Sequence, residues 1–163
     1  MFAKTLKSLL NNVSFNGEAL SVTGDLDDWK KEKVVTFSPG SDDHGELRIE
    51  AEDWNNQEHC IRGGLLLQCQ STDPNSLWHN FKSDTDHWRA LDGSELCTNN
   101  EGFAAAEDVP FVRSMLASGS KKIWTNNKEV TLIGNPTSGE TYLIILLTSY
   151  IRLFMILPQS THL

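Results

Sequence analysis

The 163-residue chain carries five tryptophans, Trp29, Trp54, Trp78, Trp88 and Trp124, and the chemistry open to each depends on its neighbours. An indole offers a flat apolar face and one N–H donor. Beside carboxylates and amides it suits a ligand with both C–H faces and hydroxyls, as a sugar has. Trp54 stands in Glu52-Asp53-Trp54-Asn55-Asn56 and Trp88 in Asp86-His87-Trp88-Arg89. With Asp84, Asp86 and His87, these two are the candidate carbohydrate-binding residues. The competing reading for any tryptophan is a core anchor, and the alternation around Ile123-Trp124 favours that reading for Trp124.

Other groupings are weaker. Asp84-Thr85-Asp86-His87 and Asp42-Asp43-His44 set carboxylates beside an imidazole. A hard cation such as Ca²⁺ takes several oxygens, but the 84–95 stretch lacks the EF-hand pattern, and a solvated acidic turn accounts for both segments. Zinc could be held by Cys60, Cys69, Cys97 and a histidine, but the chain has no C-x-x-C pair, the spacing such sites commonly use. Glu50, Glu52 and Asp53 could pair as carboxylates for glycoside hydrolysis, although such pairs arise readily in an acidic chain. No nucleophile elbow, phosphate-binding loop or dinucleotide glycine fingerprint occurs. These residues imply a protein that is not an enzyme and needs neither metal nor cofactor.

The charge balance narrows the partners. Lys+Arg number 14 against 22 Asp+Glu, for a formal charge of −8, and the basic residues are not clustered. Neutralising phosphates takes clustered Lys/Arg, so nucleic acid is excluded as a partner. The length suits one domain with its own core, and 39% hydrophobic content is ordinary for a globular one. Three cysteines leave two readings: three buried free thiols, or a disulfide, most simply Cys60 with Cys69 across the Gly63-Gly64 turn. Asn12-Val13-Ser14 is one N-glycosylation acceptor triplet.

The elements that must position these groups are short and apolar or alternating. Residues 13–15 run into Asn16-Gly17, with 19–23 after them, and Asn-Gly between two such runs predicts a hairpin with a type I′ turn. Residues 33–37 are β-branched and end at Ser38-Pro39-Gly40. Residues 46–51 alternate, with Leu47 and Ile49 on one face and Glu46, Arg48 and Glu50 on the other. Residues 64–70 read as a strand covered on both faces, and 121–125 and 129–133 as two more around Asn126-Asn127. Between 71 and 119 the signal fades into loops anchored by Trp78, Phe81 and Trp88, with a helical turn expected at 104–108. The whole predicts an antiparallel β-sandwich with Ile49, Leu65, Leu67 and Trp124 inside.

The two ends differ from this body. Residues 1–12 read as a helix-like lead with Leu6, Leu9 and Leu10 on one side. Lys4 and Lys7 interrupt its apolar residues, so it does not read as a signal peptide. Residues 142–157 are almost wholly apolar, yet they fall short of the roughly 20 residues that span a bilayer and contain Arg152. Membrane association through 142–157 is therefore disfavoured, and packing against the protein, as a last core strand or a buried helix, is preferred over a membrane segment or a non-native tail.

The order of these features resembles galactose-binding-like jelly-roll domains, as found at the front of some rhamnosidases and in secreted invertebrate lectin-like proteins. The resemblance is carried by Phe15-Asn16-Gly17, Asp28-Trp29, Val35-Thr36-Phe37, Leu47-Arg48-Ile49-Glu50-Ala51 and Gly63-Gly64-Leu65-Leu66. Ser76-Leu77-Trp78-His79 and Lys121-Lys122-Ile123-Trp124 complete it. The helix-like lead and the apolar tail depart from that family and suggest a partial or rearranged domain. The resemblance implies an all-β jelly roll at 13–135 between the lead (1–12) and the tail (136–163). It also implies a non-catalytic module, extracellular, that binds a glycan or glycoprotein. The alternatives are an accessory fragment of a glycoside hydrolase and a structural or adhesive surface protein.

Overall fold

The computed structural model describes residues 9–25, 31–40, 43–53, 59–62, 64–98, 110–136 and 149–156. Among these the chain is all-β, with two short helices. One antiparallel sheet has five strands, in the order β2 (Glu18–Ala19), β1 (Leu9–Phe15), β5 (Leu47–Glu52), β8 (Glu129–Gly134) and β7 (Trp88–Ala90). The other has four: β3 (Val22–Thr23), β4 (Lys33–Phe37), β9 (Ser149–Ile156) and β6 (Gly64–Ser71). Both sheets contribute to one core. Val13, Leu47, Ile49 and Leu132 enter it from the first sheet, and Val35, Leu65 and Leu67 from the second.

Local chemistry explains most of these elements. Asn16 and Gly17 turn with φ of 50° and 85°, the positive values a type I′ hairpin needs, and Phe15 pairs with Glu18 across them. In β5 the two-residue period buries Leu47, Ile49 and Ala51 while Arg48, Glu50 and Glu52 stay half-exposed. Leu10 and Val13 of β1 are three residues apart, an odd spacing that would put them on opposite faces. A bulge between Leu10 and Asn12 absorbs the extra residue, and both side chains reach the core.

The leucine run of β6 is buried because it is covered from three directions. Leu65 and Leu67 enter the core, and Leu66, on the other face, is fully buried too. Helix α2 (Pro110–Ala117) lies against β6 and buries Val112 and Met115. The free edge of β6 is closed by main-chain hydrogen bonds with Phe81, Ser83 and Ile123. Sequence reading missed α2, although proline at its first position was a legible start signal. It ends in a Schellman motif, with Ser120 N–H donating to Met115 C=O and Gly119 N–H to Leu116 C=O.

Several expectations are corrected. Residues 9–12, assigned to the helix-like lead, belong to β1, where pairing with β5 outweighs the local leucine spacing. The 19–23 run is split between sheets, β2 pairing with β1 and β3 with β4. Residues 121–125 are not a strand; they make isolated bridges, Ile123 to Leu65 and Trp124 to Cys97. Trp29 and the helical turn expected at 104–108 lie outside the described residues. The predicted interior set holds, with Ile49, Leu65, Leu67 and Trp124 all fully buried.

Part of the apolar tail, β9, lies between β4 and β6. Its register sets Ile151 opposite Val35 and Cys69, and Arg152 opposite Val34 and Gln68. The tail is thus no appendage to the body, and no helix among the described residues is long and apolar enough to cross a membrane. Deleting residues 142–163 would leave β4 and β6 without their shared partner. The truncated chain should lose its cooperative thermal transition, followed by near-ultraviolet circular dichroism. A soluble product that still unfolds cooperatively would show that β9 is dispensable.

Candidate functional site

The loop before β7 brings three of the sequence candidates together, but gives them different work. Asp84 spends its carboxylate inside the loop: Oδ1 accepts the N–H groups of Asp86 (3.0 Å) and His87 (2.7 Å), and Oδ2 meets His87 Nδ1 at 2.7 Å. A carboxylate accepts, so Nδ1 carries the imidazole proton and Nε2 is left toward solvent. Phe81 meets the His87 ring edge-on, with centroids 6.0 Å apart, and stacks on Trp88 at 5.6 Å. Asp86 and His87 are exposed.

Trp88 is not the exposed platform its polar neighbours suggested. Only 4% of it is accessible, its indole N–H donates to Lys82 C=O, and its ring lies where a side chain on Gly134 would have to go. The period of β7 decides this, since Trp88 and Ala90 point inward and Arg89 outward. Trp78 and Trp124 are buried as well. Trp54 lies outside the described residues.

What faces solvent is a groove of about 270 Å³ at the end of the five-stranded sheet. Glu46, Asp86, His87, Arg89 and Asn135 supply its polar lining, and Ile133 with the edge of Trp88 its apolar part. Asn16 fixes Glu46 by exchanging hydrogen bonds with its backbone, N–H to C=O at 2.9 Å and Oδ1 from N–H at 2.8 Å. The Glu46 carboxylate lies 3.2 Å from Arg48 and 3.9 Å from Arg89. Register places Ile133 between those two arginines. Asn135 N–H donates to His87 C=O, tying the end of β8 to the loop. Glu46, Ile133 and Asn135 were not legible as site residues, because strand pairing alone brings them together.

The remaining sequence candidates lie away from this groove. Asp43, fully buried with φ of 56°, accepts from Ser76 Oγ at 2.7 Å and from Leu77 N–H, and its carbonyl takes the Trp78 indole N–H at 3.0 Å. Glu50 lines a second groove, of about 350 Å³, on the outer face of the same sheet. Glu52 lies 3.4 Å from Lys128. No group of three metal-binding side chains occurs among the described residues.

A disulfide forms, as one of the two readings expected, but not as the simplest pairing, Cys60 with Cys69. Cys60, in α1 (His59–Arg62), is bonded to Cys97, with Cα atoms 5.8 Å apart, and Cys69 is a buried free thiol. Strand period explains the choice, since Cys69 points into the core from β6 while Cys97 bridges to Trp124 near α1. Burial pushes the Cys69 thiol well above its ordinary pKa, which makes it unreactive. Beside the disulfide, buried Asp53 Oδ2 lies 2.9 Å from His59 Nδ1. Lys122 is fully buried nearby, its stem against Gly64. Desolvation lowers its pKa to about 8, and the Asp53 charge partly opposes that shift.

Two measurements follow from this corner. Reducing the disulfide, whose cysteines are 37 residues apart, should lower stability by about 2–4 kcal/mol in denaturant unfolding with and without reductant. An unchanged midpoint would show that the bridge contributes nothing. For Lys122, the unfolded chain keeps its proton up to the ordinary 10.5 while the folded chain releases it near 8. Stability from this group should therefore rise between those pH values, by up to about 3 kcal/mol. Lys122→Met should lack that rise; parallel stability–pH curves for the two proteins would refute the assignment.

No protein-family model, curated protein or solved structure matches the chain. The functional reading therefore rests on the residues themselves.

Proposed function

We propose that the chain is a non-catalytic carbohydrate- or glycoprotein-binding module, built as a jelly-roll sandwich of the galactose-binding-like kind and working outside the cell. The observation that carries this reading is the groove at the end of the five-stranded sheet. A sugar presents hydroxyls around an apolar C–H face. Opposite it the groove offers a carboxylate from Asp86, an amide from Asn135, a guanidinium from Arg89 and the imidazole of His87 around Ile133. Few precisely placed polar groups around an apolar floor is the usual make-up of a small-ligand site. The internal bonds of Asp84 and the packing of Trp88 hold this rim still, so little ordering entropy is lost on binding.

The extracellular part of the proposal is supported by the Cys60–Cys97 disulfide, a bond that persists in oxidising compartments.

A glycan array probed with the full chain should show binding to a restricted set of glycans. Asn135→Ala and Arg89→Ala should each weaken it at least about tenfold, roughly 1.4 kcal/mol. Leu91→Ala, in the other groove, should leave it unchanged. Absence of binding to any glycan, or hydrolysis of aryl glycosides by the chain alone, would overturn the proposal.

A further inference from the structure

The acceptor triplet Asn12-Val13-Ser14 plays no part in the groove at the sheet end, yet the fold puts it in an informative place. Asn12 follows the β1 bulge, with Val13 buried in the core on its C-terminal side. Alternation sets Asn12 on the outer face of the five-stranded sheet, in register with Glu50, and it is half-exposed there. Its side-chain amide makes no hydrogen bond to another described residue. The Cys60–Cys97 disulfide is an independent sign of passage through an oxidising compartment, where N-glycosylation also occurs. Asn135-Pro136-Thr137 has proline at its middle position, so Asn12 is the sole acceptor in the sequence.

The surface around Asn12 is concave and partly apolar. Glu50, its register partner, lines the outer-face groove of about 350 Å³, together with Asn11, Thr131, Glu129 and Leu91. Leu91 is 49% accessible, a large hydrophobic side chain exposed on this face. The groove therefore combines carboxylates, an amide and a hydroxyl with the apolar Leu91, Val130 and Ala51, and the strand register sets it beside Asn12.

We propose that Asn12 carries an N-linked glycan whose first sugars lie over the outer face of the five-stranded sheet and cover Leu91. In the transfer, a bond forms between Asn12 Nδ2 and the anomeric carbon of the first sugar. The bond from that carbon to a lipid-linked pyrophosphate donor breaks, the pyrophosphate leaves with the electron pair, and Nδ2 gives up one proton. Ser14, required two residues after the asparagine, is buried in the folded sheet. The transfer thus precedes pairing of β1 with β5, as modification of an emerging chain would.

The test is to produce the full chain through a eukaryotic secretory pathway behind a cleavable leader and measure its intact mass. The expected result is an added mass that peptide-N-glycosidase removes, leaving aspartate at position 12. Ser14→Thr should keep this mass and Ser14→Ala should lose it. Asn12→Gln, which leaves Ser14 in place, gives the same readout should Ser14→Ala fail to fold. Hydroxyl-radical labelling of Leu91 should fall in the glycosylated protein relative to the enzymatically deglycosylated one. Secreted, folded protein with unmodified Asn12 would overturn the site, and equal labelling of Leu91 in the two forms would overturn the placement of the sugars.

Discussion

The Trp78 side chain has one polar atom and no exposed surface, and much of the architecture follows from satisfying that atom while filling the space between the sheets. Its indole N–H donates to the Asp43 carbonyl, and the Asp43 carboxylate is held in turn by Ser76 and Leu77. A buried donor or carboxylate without partners costs several kcal/mol, so these bonds fix the 76–78 turn against the loop before β5. The ring then meets Phe15 of β1 and Phe37 of β4 edge-on, with centroids 5.4 and 5.1 Å apart, and Phe81 at 5.0 Å. One residue thereby joins both sheets, and Phe81 carries the contact on to Trp88 and His87.

That aromatic chain explains why the groove sits where it does. Trp88 is drawn into the core by its stacking on Phe81 and by the open space over Gly134. Its neighbours His87 and Arg89 are consequently left outside, at the groove. The loop behind the rim is braced from within, since Asp84 holds two backbone N–H groups and the imidazole at once.

The second sheet is held by a different means. Its central strand, β9, comes from near the end of the chain and pairs with β4 on one side and β6 on the other. Such long-range pairing is slow to form because loop closure precedes any gain in contacts. The Cys60–Cys97 bond shortens one of those closures, tying α1 to the segment that bridges Trp124. Lys122 and Asp53 lie buried at the same corner, where opposite charges partly offset each other's desolvation.

The residues that define period and turn were legible in the chain alone. Asn16-Gly17 announced its hairpin because both residues accept positive φ, and Leu47 and Ile49 announced a half-buried strand because side chains alternate across a sheet. The interior place of Leu65, Leu67 and Trp124 followed from the same local arithmetic. What needed tertiary structure was every choice between partners. Leu9 and Leu10 fit a helix by spacing, and strand pairing with β5 overrode it. Cys60 met Cys97 because the core claimed Cys69. Trp88, polar by its neighbours, went inside because β7 pairs with β8 opposite a glycine. Glu46, Arg89 and Asn135 came to line one groove for the same reason: local sequence sets which way a side chain points along its own strand, but long-range pairing decides which strands, and hence which side chains, stand together.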